Sequence, residues 1–168
     1  MITTDRLILK PLNYNQLIKH INCNNSLEKE LNLNTNSRTL SPELREFFEQ
    51  KLLLNLANSN KNYLYSTLWI AISKVTNQII GDLSIAGQPN QEGEIEIGYE
   101  TYKEFQNQGF MTEMIEAIIK WAKTESKIKS IIALTKETNN ASCKVLQKNN
   151  FSQVGQTESV LNWKLDID

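Results

Sequence analysis

A strand–helix–strand stretch in the second half of the chain constrains the fold most. The segment Glu94-Ile95-Glu96-Ile97-Gly98-Tyr99 alternates polar and apolar residues, which is typical of a half-buried strand. A helix running to about Thr124 follows, and its apolar residues share one face: Met111, Met114, Ile115, Ile118 and Ala122. The apolar run Ile131-Ile132-Ala133-Leu134 then predicts a strand buried on both faces. A crossover of this length joins parallel strands, so these two strands should pair in parallel.

Besides these two, strands are predicted over Leu7–Lys10, Tyr63–Ser73, Gln78–Ala86, Phe151–Gln156 and Val160–Asp166. Connections short enough for hairpins join Tyr63–Ser73, Gln78–Ala86 and Glu94–Tyr99 in turn, and also join the last two strands, which favours antiparallel pairing within each group. We therefore predict one α+β domain over residues 1–168, with a mixed, mostly antiparallel sheet of about seven strands and helices on both faces.

Asparagine and serine mark the expected helix starts. Asn13 or Asn15 should cap a helix running to about Ile21, and Asn139 or Asn140 one ending near Asn149. Ser41 followed by Pro42 predicts a helix that continues to about Asn58. The asparagine-rich stretch from Asn22 to Arg38 reads as a broken helix and loop.

Composition narrows the classes of partner. A formal net charge of −1 and the absence of a dense basic stripe argue against a nucleic-acid partner. No apolar stretch is long enough to span a membrane, and Met1–Leu7 lacks the pattern of a secretory leader, so we expect a cytoplasmic protein. Cys23 and Cys143 predict neither a disulfide framework nor a zinc site, but two reduced thiols. We expect a monomer or a homodimer.

The turn before the second-half helix is the candidate binding site. Gln106-Asn107-Gln108-Gly109-Phe110-Met111-Thr112-Glu113 is a polar, glycine-containing turn that opens a helix. Free backbone N–H groups converge at such a turn, and the helix macrodipole adds partial positive charge there. Phosphate oxygens are therefore the ligands this turn favours, although a plain helix start is the alternative.

Several segments together resemble the GNAT superfamily of N-acetyltransferases, in the branch that includes the ribosomal-protein N-terminal acetyltransferases. Thr4-Asp5-Arg6-Leu7-Ile8-Leu9 is similar to the first-strand signature of that branch, and Glu96-Ile97-Gly98-Tyr99 resembles its fourth strand. Gln106–Glu113 resembles its pyrophosphate loop, and Asn139-Asn140-Ala141-Ser142 through Phe151 resembles its closing helix. The order and spacing of these segments cover nearly the whole chain.

The resemblance implies acetyl-CoA as cosubstrate and no metal, with the fourth and fifth strands splayed around the cosubstrate. Gln106, Gly109 and Met111 fill the three marked places of the loop motif, although Met111 replaces a small residue. Asn107 stands where the branch has glycine, and asparagine tolerates a positive φ better than most residues. The implied cofactor-binding residues are Ile97, Gly98, Tyr99, Gln106, Asn107, Gln108, Gly109, Phe110, Met111, Thr112, Asn139 and Ser142.

The implied reaction is attack of a neutral primary amine on the thioester, which requires a base to deprotonate the ammonium form. Glu96 is the first candidate, Glu94 the second and Glu158 the third, and each also fits a solvent-facing role. Many members of the family use a tyrosine of the closing helix as the acid, but that position holds Leu146. Ser142 is then the candidate acid, and a helix-capping serine is the alternative.

The acceptor is expected to be a peptide or protein N-terminus or a small polar amine. The short connection Thr157-Glu158-Ser159 predicts an open acceptor cleft, with the first helices and residues 22–38 as its other wall. One alternative is a non-catalytic module that binds CoA or a partner, which the replaced glycines at Asn107 and Asn150 favour. A second alternative is an enzyme that uses a longer acyl donor such as succinyl-CoA.

Overall fold

A computed structural model describes residues 1–58 and 62–167. An eight-stranded sheet crosses the molecule in the order β1-β2-β3-β4-β5-β6-β8-β7. Among the described strands only β5 and β6 are parallel neighbours, as predicted, and the other pairs are antiparallel. The strands are β1 (Ile2–Thr3), β2 (Leu7–Pro11), β3 (Leu68–Ser73), β4 (Ile79–Ile85), β5 (Glu94–Thr101), β6 (Ser130–Lys136), β7 (Ser152–Thr157) and β8 (Val160–Asp166). The sequence prediction of about seven strands missed the two-residue β1.

The helices are α1 (Tyr14–Asn22), α2 (Ser26–Glu30), α3 (Pro42–Phe47), α4 (Leu54–Leu56), α5 (Phe110–Ala122) and α6 (Asn140–Lys148). Three of them, α1, α3 and α6, begin where the capping residues indicated. Between α3 and α4 the chain continues as a π-helical stretch, Phe48–Leu53. Asn13 caps α1 through a capping box with Gln16, and Ser41 caps α3 with proline at the first turn. The predicted helix starts are thus confirmed.

The predicted strand from Tyr63 begins too early. Tyr63–Tyr65 form a 3-10 turn, and β3 starts only at Leu68. The Asn62 side chain accepts from the Leu64 N–H at 3.1 Å, and the Trp69 indole N–H donates to the Leu64 carbonyl oxygen at 3.2 Å. These local bonds satisfy backbone groups that a strand would have paired, so the apolar residues of this segment form a turn.

Two apolar cores lie on opposite faces of the sheet. One packs α5 and α6 against buried residues such as Leu9, Trp69, Leu83 and Ile97. The other packs α1 and the α3–π-helical region on Ile70, Ile72 and Ile79. The alternation along each strand therefore buries both faces over β2 to β4.

The second face is open over β6, which corrects one prediction. Ile131 and Ala133 are buried, but Ile132 is half-buried and Leu134 is 54% exposed. The second core contains residues of β2, β3 and β4 but none of β6. An apolar run alone does not reveal whether a helix covers each face, so the expectation of burial on both faces was wrong.

The parallel strands separate halfway along β5. Their pairing runs from Glu94 with Ser130 to Ile97 with Ala133. Beyond Ile97, β5 stays paired with β4 as far as Thr101, while β6 stays paired with β8 as far as Lys136. The register between β4 and β5 runs unshifted past Gly98, so the splay does not arise from a bulge at that glycine.

Asparagine side chains fix the segment between α2 and α3 to the β3–β4 turn. Asn34 donates through Nδ2 to the Thr76 carbonyl oxygen at 2.8 Å, and Asn77 donates through Nδ2 to the Asn32 carbonyl oxygen at 3.0 Å. The asparagine side chains therefore provide hydrogen-bond donors to backbone carbonyl oxygens that lie outside helices and strands. Across residues 1–58 and 62–167, no helix is both long and apolar enough to cross a membrane.

Candidate active site

A cavity of about 530 Å³ opens where β5 and β6 separate. Its walls come from the end of β5, the turn that leads into α5 with the first turn of α5, and one face of α6 along its whole length. The lining residues are Tyr99, Glu100, Thr101, Phe105, Gln106, Asn107, Gly109, Phe110, Met111, Thr112, Asn139, Ala141, Ser142, Lys144, Val145 and Lys148. We call this cavity the cleft.

The turn from Gln106 to Met111 forms one end of the cleft. Asn107 has a φ of 61° and Gly109 a φ of 78°, so two left-handed residues bend the chain into α5. No described residue accepts a hydrogen bond from the backbone N–H groups of residues 107–112. The helix dipole and these donors make this end of the cleft favourable for an anion.

Most of the predicted cofactor-binding residues meet in the cleft. Of the twelve, Ile97, Gly98 and Gln108 do not line it. Ile97 is buried in the α5-side core, whereas the Gln108 side chain points back to donate to the Glu104 carbonyl oxygen at 3.2 Å. Gly98 is the first residue of β5 beyond the last parallel pair.

Tyr99 and Ser142 contact each other across the cleft. The Ser142 hydroxyl lies 2.8 Å from the Tyr99 hydroxyl oxygen and donates to it, while Tyr99 donates to the Ser142 carbonyl oxygen at 3.2 Å. Burial raises the pKa of Tyr99 to about 12. Asn139, through its side-chain oxygen, caps α6 by accepting from the Ser142 N–H at 3.1 Å. The Ser142 side chain therefore faces the cleft instead of capping α6.

The three candidate bases occupy different environments. Glu96 is exposed on the open face of β5, opposite Ile132. Glu94 accepts from Lys164 Nζ at 2.7 Å, and this bond, with another from Asn90, lowers the pKa of Glu94. Glu158 is exposed in the β7–β8 turn. Glu94 is therefore already engaged as an ion-pair partner, whereas Glu96 is free to meet solvent or substrate.

The cleft also contains a carboxylate that the sequence analysis missed. Glu100 lies on the same face of β5 as Glu96 and pairs across the strands with buried Asp82. Burial, and to a smaller extent the Asp82 charge, raises the pKa of Glu100 to about 7. Asp82 in turn accepts from the Tyr102 hydroxyl at 2.8 Å and lies 3.5 Å from His20 Nε2. Alternation with Glu96 was the one sequence signal that could have identified Glu100.

Two cations were also missed. Lys144 and Lys148 are exposed, lie one helical turn apart on α6, and line the cleft. Leu146, at the position of the family's tyrosine, is fully buried in the core and does not line the cleft. The spacing of the two lysines in the sequence was the available signal. The described residues contain no cluster of three or more side chains suited to a metal ion.

Comparison with known proteins identifies the family. Residues 6–152 match the model of the acetyltransferase (GNAT) domain. The chain therefore belongs to this acetyltransferase family, and it is an enzyme of the acetyl-CoA-dependent acyltransferase class. The uncharacterized N-acetyltransferase YjdG of Bacillus subtilis is 26% identical over 97% of this chain and 96% of its own length.

Solved structures share the fold. The ribosomal-protein-S5-alanine acetyltransferase of Vibrio fischeri is 19% identical with a TM-score of 0.71, over 99% of this chain and 96% of that one. The Salmonella typhimurium acetyltransferase that modifies the N-terminal serine of L7/L12 is 19% identical, with a TM-score of 0.69 over 98% and 97%. A ribosomal L7/L12 α-N-protein acetyltransferase in complex with coenzyme A is 18% identical, with a TM-score of 0.66 over 98% and 96%.

Proposed function

We propose that the enzyme transfers the acetyl group of acetyl-CoA to a primary amine, with the cosubstrate bound in the cleft between β5 and α6. The observation that carries this proposal is the convergence, in one cavity, of the α5 N-terminus with its unpaired N–H groups and the separated edge of β5. The first suits a pyrophosphate, and the second suits an extended chain with amide groups.

The residues present fit this ligand from end to end. Backbone N–H groups of Asn107, Gly109, Phe110 and Met111 would hold the pyrophosphate. The large Met111 side chain does not block this site, because it packs in the core and the residue is only 6% exposed. In the described chain, β5 has β4 as its sole strand partner beyond Ile97. Its other edge is available to pair with pantetheine amides around Ile97 to Tyr99.

The reacting end would lie near Ser142 and Asn139. The thioester supplies an activated acyl group, and the chain must place the amine, take its proton and supply one to the leaving sulfur. Ser142 lines the cleft, and its hydroxyl could turn from Tyr99 to donate to sulfur. Glu96 is the proposed base, since it is exposed on the uncovered face of the two parallel strands.

Glu100 is a second candidate base because it lines the cleft with a pKa raised to about 7 by burial and by Asp82. A carboxylate with such a pKa is matched to proton abstraction near neutral pH. The pH–rate profile separates the two. A limb near pH 7 that disappears in Glu100→Gln and persists in Glu96→Gln assigns the base to Glu100. A large loss of turnover in Glu96→Gln, with turnover little changed in Glu100→Gln, assigns it to Glu96.

For the acceptor we propose a peptide or protein N-terminus, or a small polar amine, as in the ribosomal-protein branch that the sequence motifs resemble. Only Glu158 and Ser159 connect β7 and β8, so this connection is too short to fold over the cleft. Exposed Glu96 and Leu134 lie on the neighbouring open face. An open site of this kind accommodates the end of an extended chain.

Calorimetry with CoA and a thiol-release assay on free and N-blocked peptides test the function. Gly109→Val places a β-branched residue at a φ of 78°, where the neighbouring contacts leave space but the backbone conformation is strained. We expect weaker CoA binding from the folded variant, while wild type acetylates only peptides with a free α-amine. Equal CoA affinities in wild type and variant would remove the loop from the proposal.

The same two assays distinguish the alternatives. Tight CoA binding without thiol release for any amine or peptide would support a non-catalytic CoA-binding module. Faster release from succinyl-CoA than from acetyl-CoA would indicate a longer acyl donor. Turnover of only a nucleotide sugar or an aminoglycoside would contradict the peptide preference and leave the acyltransferase class intact.

A further inference from the structure

Thr4 and Arg6, part of the N-terminal signature, have no place in the proposed reaction, yet they bind the start of α5. Thr4 Oγ1 donates to Glu113 Oε1 at 2.6 Å, and the Arg6 backbone N–H donates to the same oxygen at 2.9 Å. Arg6 Nε donates to Glu113 Oε2 at 2.6 Å. The Glu113 carboxylate, in the first turn of α5, is thus held on both oxygens by one short segment.

The Arg6 side chain also contacts the loop itself. Arg6 Nη1 donates to the Gln108 carbonyl oxygen at 2.9 Å, and the guanidinium lies 4.5 Å from the centre of the Phe110 ring. A Cβ on Gly109 would lie 3.6 Å from Arg6 Nη2. One guanidinium therefore contacts Gln108 and Phe110, the residues on either side of Gly109.

The carbonyl contact orients a backbone donor. In a trans peptide unit the C=O and the following N–H point in opposite directions. Because Arg6 holds the Gln108 carbonyl, the Gly109 N–H must point away from Arg6. Gly109 lines the cleft, and its N–H is one of the proposed pyrophosphate donors.

The ion pair also adjusts the charge at this end of the cleft. Burial raises the pKa of Glu113, but the hydrogen bonds from Thr4 and Arg6 outweigh burial and hold the net pKa below its usual value. Glu113 therefore stays ionised, and Arg6 compensates a negative charge that would otherwise repel a phosphate. The segment is itself fixed to the β3–β4 turn, since the Lys74 backbone N–H donates to the Arg6 carbonyl oxygen at 3.0 Å.

We propose that Thr4, Arg6 and Glu113 form a clamp that positions the pyrophosphate loop, and that Arg6 is a positioning residue for CoA binding without contacting the ligand. This inference rests on the proposed function of the cleft. It gives the N-terminal signature a physical task, because a preorganised loop binds its ligand without an ordering cost.

The test is CoA affinity by calorimetry for wild type, Arg6→Gln, Glu113→Gln and the double variant. We expect Arg6→Gln to weaken CoA binding by about tenfold, which corresponds to one charge-assisted hydrogen bond. The double variant should lose little more than Arg6→Gln, because both changes remove the same clamp. Lys120→Gln is the matched control, since it breaks the exposed Glu116–Lys120 pair on the same helix and should leave CoA affinity unchanged.

A second readout separates positioning from general destabilisation. S-acetylpantetheine lacks the pyrophosphate, so its KM should stay unchanged in Arg6→Gln while the KM for acetyl-CoA rises. Amide hydrogen exchange should increase at Glu113, whose N–H donates to the Gly109 carbonyl oxygen at 3.2 Å, and stay constant in the later turns of α5. If Arg6→Gln does not fold, Arg6→Lys retains the charge but cannot bond Glu113 and Gln108 together, and it should lose part of the CoA affinity.

Wild-type CoA affinity in a folded Arg6 variant, or equal losses for acetyl-CoA and S-acetylpantetheine, would overturn the clamp and leave the proposed function standing. Failure of the wild type to bind CoA would instead reject the proposed function itself.

Discussion

The contact between Tyr99 and Ser142 is the most direct link between residue chemistry and the proposed reaction. With a pKa raised to about 12 by burial, Tyr99 keeps its proton at neutral pH. Tyr99 therefore serves as a protonated hydrogen-bond donor in this cleft. In the unliganded cleft Ser142 donates to Tyr99, and Tyr99 donates to the Ser142 carbonyl oxygen. If the Tyr99 hydroxyl rotates to donate to the Ser142 hydroxyl, Ser142 can accept that bond and donate its own proton to the leaving sulfur. Such a chain strengthens the donor at its end.

Tyr99→Phe tests this arrangement. We expect turnover to fall by about tenfold, the equivalent of one hydrogen bond, with CoA affinity little changed. Ser142→Ala should lower turnover at least as much, and adding Tyr99→Phe to it should lower turnover little further. Steady-state kinetics and CoA calorimetry of the three variants provide the measurement. Additive losses in the double variant would show that the two hydroxyls act separately.

The protonation of Glu100, in the cleft, affects the free energy of unfolding. Its pKa of about 7 in the folded protein exceeds the ordinary carboxyl value of 4.5, so the native state binds more protons between these pH values. The Glu100 contribution to stability is thus fully favourable below about pH 4.5 and is lost as pH rises through 7. Glu100→Gln should raise the melting temperature relative to wild type at pH 8 and have little effect at pH 5.

Thermal melts of both proteins at the two pH values check this, with Glu96→Gln as control because Glu96 is exposed on the same strand. A constant difference between wild type and Glu100→Gln across the pH range would contradict a raised pKa.

One face of helix α6 packs in the core, and another face lines the cleft. Leu146 is fully buried, whereas Ala141, Lys144, Val145 and Lys148 follow one another at helical spacing along the cleft. The two lysines are the basic side chains of the cleft lining, so they can offset the charges of a bound CoA. Both are exposed, which limits each to a modest and salt-dependent effect.

The double variant Lys144→Gln, Lys148→Gln should therefore bind CoA about fivefold more weakly, corresponding to ~1 kcal/mol. The loss should shrink as salt is raised, because exposed charges are screened. The double variant Lys123→Gln, Lys127→Gln, at exposed positions just after α5, is the control for net charge. Calorimetry at low and high salt gives the comparison. A loss that is independent of salt would point to an altered helix instead of an electrostatic contact.

The sequence predicted elements better than it predicted contacts. Helix starts at Asn13, Ser41 and Asn139 were found because capping is local, and the parallel pair was found because a crossover has a characteristic length. The exposure of Leu134 was missed because it depends on which distant helix covers β6. Local bonds of the Tyr63–Tyr65 turn likewise outweighed an apolar pattern typical of a strand.

For the candidate site, too, the sequence predicted which segments meet but not the contacts between their side chains. The loop and the start of α6 were placed together by resemblance, and the cleft brings them together. The Tyr99–Ser142 contact, the Asp82–Glu100 pair and the Arg6–Glu113 clamp join residues distant in sequence. Such contacts follow from register and packing, which no short motif specifies.

In the whole molecule, the cleft separates the sheet into two parts. One part of the sheet contains β1 to β5 and the other contains β6 to β8. The two parts pair directly only between β5 and β6, over Glu94 to Ile97 of β5. Beyond that point the Tyr99 and Ser142 contact is one of the bridges across the gap. A ligand that fills the cleft would contact both parts of the sheet, and it would bind the folded state only.

Acetyl-CoA should accordingly stabilise the whole fold. At one hundred times its Kd, a ligand specific for the folded state adds ~2.7 kcal/mol. For a chain of this size that free energy raises the melting temperature by about 5–10 °C. The melting temperature should rise with the logarithm of the acetyl-CoA concentration. The Gly109→Val variant should need more ligand for the same increase in melting temperature. Free pantetheine at equal concentration is the control, since it lacks the pyrophosphate. An unchanged melting temperature at saturating acetyl-CoA would mean that the cleft does not bind it.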